Sequence, residues 1–151
     1  MGKTPLLLSA LAVTMALALP LAQAKGGSKA VDYRQSIMSI YKWNLDPMVA
    51  MVKGDQPFDQ ARFAALAKDL HRASQLDLPG GFPKGSDEGD TDARPEVWSD
   101  GDGFKSQFGN FQQAAAALAT AAEGGDLEAI KPKFGEVGKA CKGCHDKYRA
   151  D

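Results

Sequence analysis

The chain's only two cysteines, Cys141 and Cys144, stand two residues apart and are followed at once by His145, close to the C-terminal end. Cys-x-x-Cys-His is the attachment sequence for a c-type haem: the thiols add across two vinyl groups, and the adjacent imidazole binds the iron. Two intervening residues bring both sulfurs onto one helical turn. A disulfide or redox dithiol is open to an exported protein, but it leaves His145 without a role. A zinc site needs about four ligands. The chain offers two cysteines and two histidines, and His145 adjoins Cys144 too closely for easy tetrahedral closure. Only Asp146 to Asp151 follow, with no methionine among them. A sixth iron ligand therefore comes from upstream, or the iron has none.

Few other residues compete for chemistry. His71, next to Leu70, is a possible iron ligand, but it reads better as a surface or hydrogen-bonded structural histidine. Met48 and Met51 read as core filler. No carboxylate pair or Ser/His/Asp arrangement stands out, and no polar distal acid–base group for a peroxidase can be placed, so an enzyme is not expected.

The N-terminus fits a haem c protein, which in bacteria matures outside the cytoplasm. Lys3, the apolar run Leu6 to Leu21 and the ending Ala22-Gln23-Ala24 read as a cleavable signal peptide over residues 1–24. The mature chain would be residues 25–151, one domain, located in the periplasm. It holds 17 basic and 19 acidic side chains, a net charge of −2. This near balance argues against nucleic acid or an anionic membrane as partner. No second apolar run of about 18 residues occurs, so the processed protein is not expected to be embedded in a membrane.

Four stretches carry helical periodicity, and no strand alternation is evident. The first runs from about Ala30 to Lys53, with Ile37, Met38, Tyr41, Leu45, Met48 and Val52 at three- and four-residue steps. Pro47 should bend it or remove a hydrogen bond, and Gly54 ends it. The second spans about Phe58 to Gln75, with Phe63, Leu66, Ala67 and Leu70 inward. Residues 78–100, dense in Gly, Pro and Asp, read as a long loop anchored by Phe82, Val97 and Trp98. The third helix runs from about Gly103 to Glu123, with Phe104, Phe108, Phe111, Ala115 and Leu118 on one face. Asp126 caps the fourth, with Leu127, Ile130, Phe134, Val137, Cys141 and Tyr148 inward and Pro132 a misfit near its start. Short links and one long crossover give an all-α, antiparallel four-helix bundle with haem c held between the helices. Cytochrome c′ is among the stock examples of that architecture.

With the haem motif on the last helix, the chain resembles the class II cytochromes c, most closely the cytochrome c′ group. The resemblance rests on Tyr33-Arg34-Gln35-Ser36, Lys53-Gly54 with Pro57-Phe58-Asp59, Thr91 to Trp98, and Gly138 to Arg149. Many relatives have tryptophan soon after the match to Leu78-Pro79, where this chain has Gly80-Gly81. The resemblance implies one covalent haem c per chain and contacts from Arg34 and Gln35 to its propionates. It further implies that Thr91 and Asp92 lie along the haem edge and that Arg149 sits beside the proximal His145. Arg149 follows His145 by four residues, so a helix would put both on one face. It could also complement the helix dipole. Met38 occupies the distal-facing position, as a steric gate or as a sixth ligand. The resemblance also implies a five-coordinate iron that binds nitric oxide or carbon monoxide, with possible electron transfer to a redox partner protein, and often a homodimer. The alternative is a low-spin electron carrier of the c-556 type, with Met38 bound to iron.

Overall fold

The computed structural model describes residues 26–150, with side chains from Lys29 onward; the expected signal peptide lies outside the described residues. Four long helices and one short one follow in order: α1 (Gly26–Lys53), α2 (Gln60–Ser74), α3 (Glu96–Ser99), α4 (Gly101–Glu123) and α5 (Leu127–Tyr148). The long four form the expected all-α bundle.

Helix starts are set by aspartates that satisfy the free N–H groups of a first turn. Asp59 accepts from Arg62 N–H at 3.0 Å, Asp100 from Gly103 N–H at 3.3 Å and Asp126 from Glu128 N–H at 3.0 Å. The Asp59 cap moves the start of α2 to Gln60, two residues later than its periodicity suggests, and the Asp100 cap starts α4 two residues earlier. Gly54, with φ of +81°, lets the chain leave α1. Both prolines are absorbed. α1 continues through Pro47 and α5 through Pro132, each without the one backbone donor that proline lacks.

The inward stripes largely fall as the periodicity requires. Ile37, Tyr41, Met48 and Met51 of α1 meet Phe63, Ala67 and Leu70 of α2. Phe108, Phe111, Ala115 and Leu118 of α4 and Ile130 and Val137 of α5 complete this core. Met38, placed in the same stripe by sequence, is 37% exposed instead. Helix α1 packs mainly on α2, while α4 packs on both α2 and α5. The fourth side, between α1 and α5, is not closed by helix packing.

The crossover from Gln75 to Pro95 is more ordered than a plain loop. It contains a 3₁₀ turn at Pro79–Gly81 and leads into the single turn α3. Residues Val97, Phe104 and Tyr148 form a second, smaller cluster beneath it, with Phe82, Ala93, Trp98 and Cys144 packed on its edge. Phe82 meets Trp98 and Phe104 edge-on at 5.9 and 4.9 Å between centroids, and Phe104 meets Tyr148 at 5.2 Å. Such tilted pairs add attraction beyond the buried area.

Candidate haem site

Helix α5 delivers its two sulfurs to two different surroundings. Cys141 packs on the edge of the main core, and Cys144 one turn later packs on the smaller cluster. Both thiols are free. Burial raises the Cys141 thiol, and burial followed by the neighbouring Cys141 pushes Cys144 up to about 11. They therefore stay protonated at neutral pH. Burial, then the positive charge of Arg149, lowers the His145 imidazole, against a smaller opposing effect of Asp146. A neutral imidazole is the form that ligates a metal.

These residues border a cavity of about 660 Å³ between α1, α4, α5 and the crossover. That volume lies within the roughly 300–1,000 Å³ of small-molecule and cofactor sites. Its walls are mainly apolar, including Leu45, Leu78, Phe104, Phe108 and Phe111. Every site residue expected from the sequence lines it: Cys141, Cys144 and His145 from α5; Arg34, Gln35 and Met38 from α1; Thr91, Asp92 and Arg149 at the crossover and C-terminus. His71 does not, nor do Met48 and Met51, which lie in the core. Among the described residues no three His, Cys, Asp or Glu side chains converge as a bare-metal site.

Arg34 makes four hydrogen bonds to the crossover. It is 4% exposed. Its Nη1 donates to the Gly81 carbonyl at 3.1 Å and Ser86 Oγ at 3.2 Å. Its Nη2 donates to the Ser86 carbonyl at 2.9 Å and Thr91 Oγ1 at 2.7 Å. The guanidinium carbon lies 4.6 Å from the Phe82 ring centroid and 5.9 Å from that of Trp98. All four Nη hydrogens are committed, which leaves Nε–H as the donor free for a carboxylate in the cavity. Arg34 is first a strap that binds the crossover to α1. Gln35 extends that strap, donating from Nε2 to the Asp90 carbonyl at 3.0 Å. The Gly80-Gly81 departure fits the same contact. A Cβ on residue 81 would lie 2.9 Å from the Tyr33 ring and 3.3 Å from Arg34 Cβ, so glycine permits the close approach of turn and helix.

Arg149 differs from its helical expectation. α5 ends at Tyr148, and Arg149 is extended, with φ of −122° and ψ of 136°. The cause is an antiparallel bridge between Ala93 and Arg149. Arg94 N–H donates to the Tyr148 carbonyl at 2.9 Å, and Ala150 N–H donates to the Asp92 carbonyl at 2.7 Å. The Arg149 side chain faces Asp92 at 3.9 Å, an exposed pair of small energetic weight. Sequence reasoning missed Ser86, whose role depends on a contact 52 residues away, and Gln107. A polar residue on the Phe104–Phe108 side of α4 was the available signal for Gln107, which also lines the cavity.

The cytochrome C′ family model matches residues 29–149, nearly the whole described chain. The chain belongs to the cytochrome c′ family. A cytochrome c′ of Halomonas halodenitrificans is 39% identical over 128 residues, covering 81% of this chain and 96% of that protein. The structure of cytochrome c prime from Shewanella frigidimarina superposes with a TM-score of 0.79 at 42% identity, covering 83% of this chain and 97% of that one. The nitric oxide complex of a leucine-substituted cytochrome c prime from Alcaligenes xylosoxidans gives 0.75 at 39% identity, with 83% and 97% covered. Haem c, covalently attached, is the cofactor of cytochromes c′, and Cys141 to His145 fit its attachment motif. The cavity suits that group: two thiols and an imidazole on one wall, apolar side chains around them, and the polar side chains of Arg34, Gln35 and Arg149 in the lining.

Proposed function

We propose that this cytochrome c′ family member is a periplasmic haem c protein that binds a small diatomic gas at five-coordinate iron. Cys141 and Cys144 would hold the haem through thioether bonds, and His145 would supply the proximal ligand. Haem in that setting supplies a metal able to bind nitric oxide or carbon monoxide and to change oxidation state, which leaves electron transfer to a partner protein open to it. The observation that carries the reading is the meeting of Cys141, Cys144 and His145 with Met38 across one apolar cavity. The nitric oxide complex of the Alcaligenes xylosoxidans relative supports the choice of ligand. Arg34 and Gln35, with Thr91 and Asp92, would form the propionate end, chiefly by fixing the crossover there. Arg149 would flank the proximal imidazole.

Met38 would act as an apolar plug on the gas side. A second reading has its own support, because Met38 is a methionine that lines the cavity and a thioether is a competent haem ligand. The two separate by absorption spectroscopy. The gate reading expects a high-spin spectrum left almost unchanged by Met38→Leu and altered by nitric oxide. A low-spin spectrum that turns high-spin in Met38→Leu would make the protein a c-556-type carrier.

The leader 1–24 supports export, and among the described residues no helix is long and apolar enough to cross a membrane. A homodimer is proposed through the outer face of α1. Trp43 is 78% exposed there, with Ile40 and Tyr33 also exposed at three- to seven-residue steps. Apolar groups clustered on one outer face are a common mark of an interface.

A further inference from the structure

Asp100 does more than cap α4. While its Oδ1 accepts the Gly103 N–H, its Oδ2 accepts the Tyr148 hydroxyl at 2.8 Å and pairs with Lys147 Nζ. Tyr148 is buried, with its ring edge-on to Phe104 and its carbonyl bonded to Arg94 N–H. Residue 148 is thus held at ring, hydroxyl and carbonyl, three positions after His145. His145 sits in the last turn of α5, where its carbonyl accepts the Arg149 N–H at 3.1 Å. Last turns fray, because their carbonyls lack helical partners and the chain beyond them is short. A ligand placed there keeps one orientation only if the turn is tied to something rigid.

We propose that Asp100 is a positioning residue for His145, acting through the Tyr148 hydroxyl to fasten the last turn of α5 to the start of α4. The two groups lie 48 residues apart in sequence, so the tie connects separate elements and not neighbours on one helix. It joins the start of α4 to Tyr148, a member of the smaller cluster on which Cys144 packs and the third residue beyond the attachment motif. The inference rests on His145 binding iron, and its test keeps the two claims apart.

Three variants of the haem-loaded protein decide it: Asp100→Ala, Asp100→Asn and Tyr148→Phe. Asparagine keeps an oxygen for the Gly103 amide and turns its Nδ2–H toward the Tyr148 hydroxyl oxygen, so a neutral bond with reversed direction remains, and Tyr148→Phe leaves the α4 cap intact. The readouts are the iron–imidazole stretching band in resonance Raman spectra of the ferrous protein and hydrogen exchange of amides 145–150. Tyr148→Phe and Asp100→Ala should shift or broaden the band and speed exchange roughly threefold to tenfold, the effect of one lost net hydrogen bond. Asp100→Asn should restore both readouts to near the unsubstituted values. An unmoved band and unchanged exchange in Tyr148→Phe would overturn the proposal, even if Asp100→Ala failed to fold. Equal perturbation in Asp100→Asn and Asp100→Ala would also overturn it, by assigning the effect to charge alone. Absence of the band in an unsubstituted protein whose ferrous spectrum is high-spin would count against His145 ligation itself.

Discussion

The two hydrophobic clusters of this bundle are built by different physics. The main cluster joins all four long helices through apolar stripes, and its most buried members include Phe63, Met48, Leu70, Leu118 and Ile130. It could be redrawn with other aliphatic residues of similar volume at little cost. The smaller cluster of Val97, Phe104 and Tyr148 has too few members to hold itself together. Arg34 clamps its crossover side, and Asp100 clamps its C-terminal side. One thiol rests on each cluster. The large core makes the bundle, whereas the small polar-braced one shapes the end of the cavity that Cys144 borders.

The largest effects should come from truncating one aromatic in each cluster. Phe63→Ala and Phe104→Ala each remove a buried ring, at about 3–5 kcal/mol from chemical denaturation. Only Phe104→Ala should also alter the haem spectrum, because Phe104 lines the cavity and Phe63 does not. Spectral changes of equal size in both would erase the distinction between the clusters.

Arg34→Ala should come next, at about 3 kcal/mol, since several charge-assisted bonds are lost and loop acceptors are left buried. Lysine should not rescue it, because a single ammonium cannot match the four-acceptor fork. Arg62→Ala and Arg72→Ala alter exposed residues of α2 and should stay within about 0.5 kcal/mol. Equal melting shifts in all three variants would remove Arg34 from its role as strap.

How much of each cluster was legible in the sequence follows from the same contrast. Phe104, Phe108, Phe111, Ala115 and Leu118 declare a helical face by spacing alone, and all five are buried. Cys141, Cys144 and His145 declare a chemistry by adjacency. Arg34 was found through resemblance, yet its four partners at Gly81, Ser86 and Thr91 were not, because they lie about 50 residues away in a segment without periodicity. The extended Arg149 was missed for a related reason. Its conformation is set by pairing with Ala93, which no local pattern announces. The bond from Tyr148 to Asp100 follows the same rule, because it spans 48 residues and no local spacing announces it.

Smaller effects belong to the faces that neither cluster covers. Met38→Leu should change stability by less than about 1 kcal/mol, as a volume-conserving swap at a partly exposed position. Met38→Ala should speed nitric oxide binding in stopped-flow measurements relative to leucine. A rate independent of side-chain size would end the gate reading. Trp43→Ser should leave the unfolding midpoint of the monomer within about 0.5 kcal/mol. In analytical ultracentrifugation it should shift a dimer toward monomer, and unchanged sedimentation would remove α1 as the interface.

Covalent attachment of haem to Cys141 and Cys144 of an exported chain is what the proposed function requires first. Mass spectrometry of protein recovered from the periplasm of a host able to mature c-type cytochromes tests it directly. The expected product is a chain beginning near Lys25 that retains one haem after denaturation and acid–acetone extraction, with the added mass confined to the peptide containing Cys141 to His145. A polypeptide recovered without haem under those conditions, or haem retained in a Cys141→Ala, Cys144→Ala double variant, would contradict it.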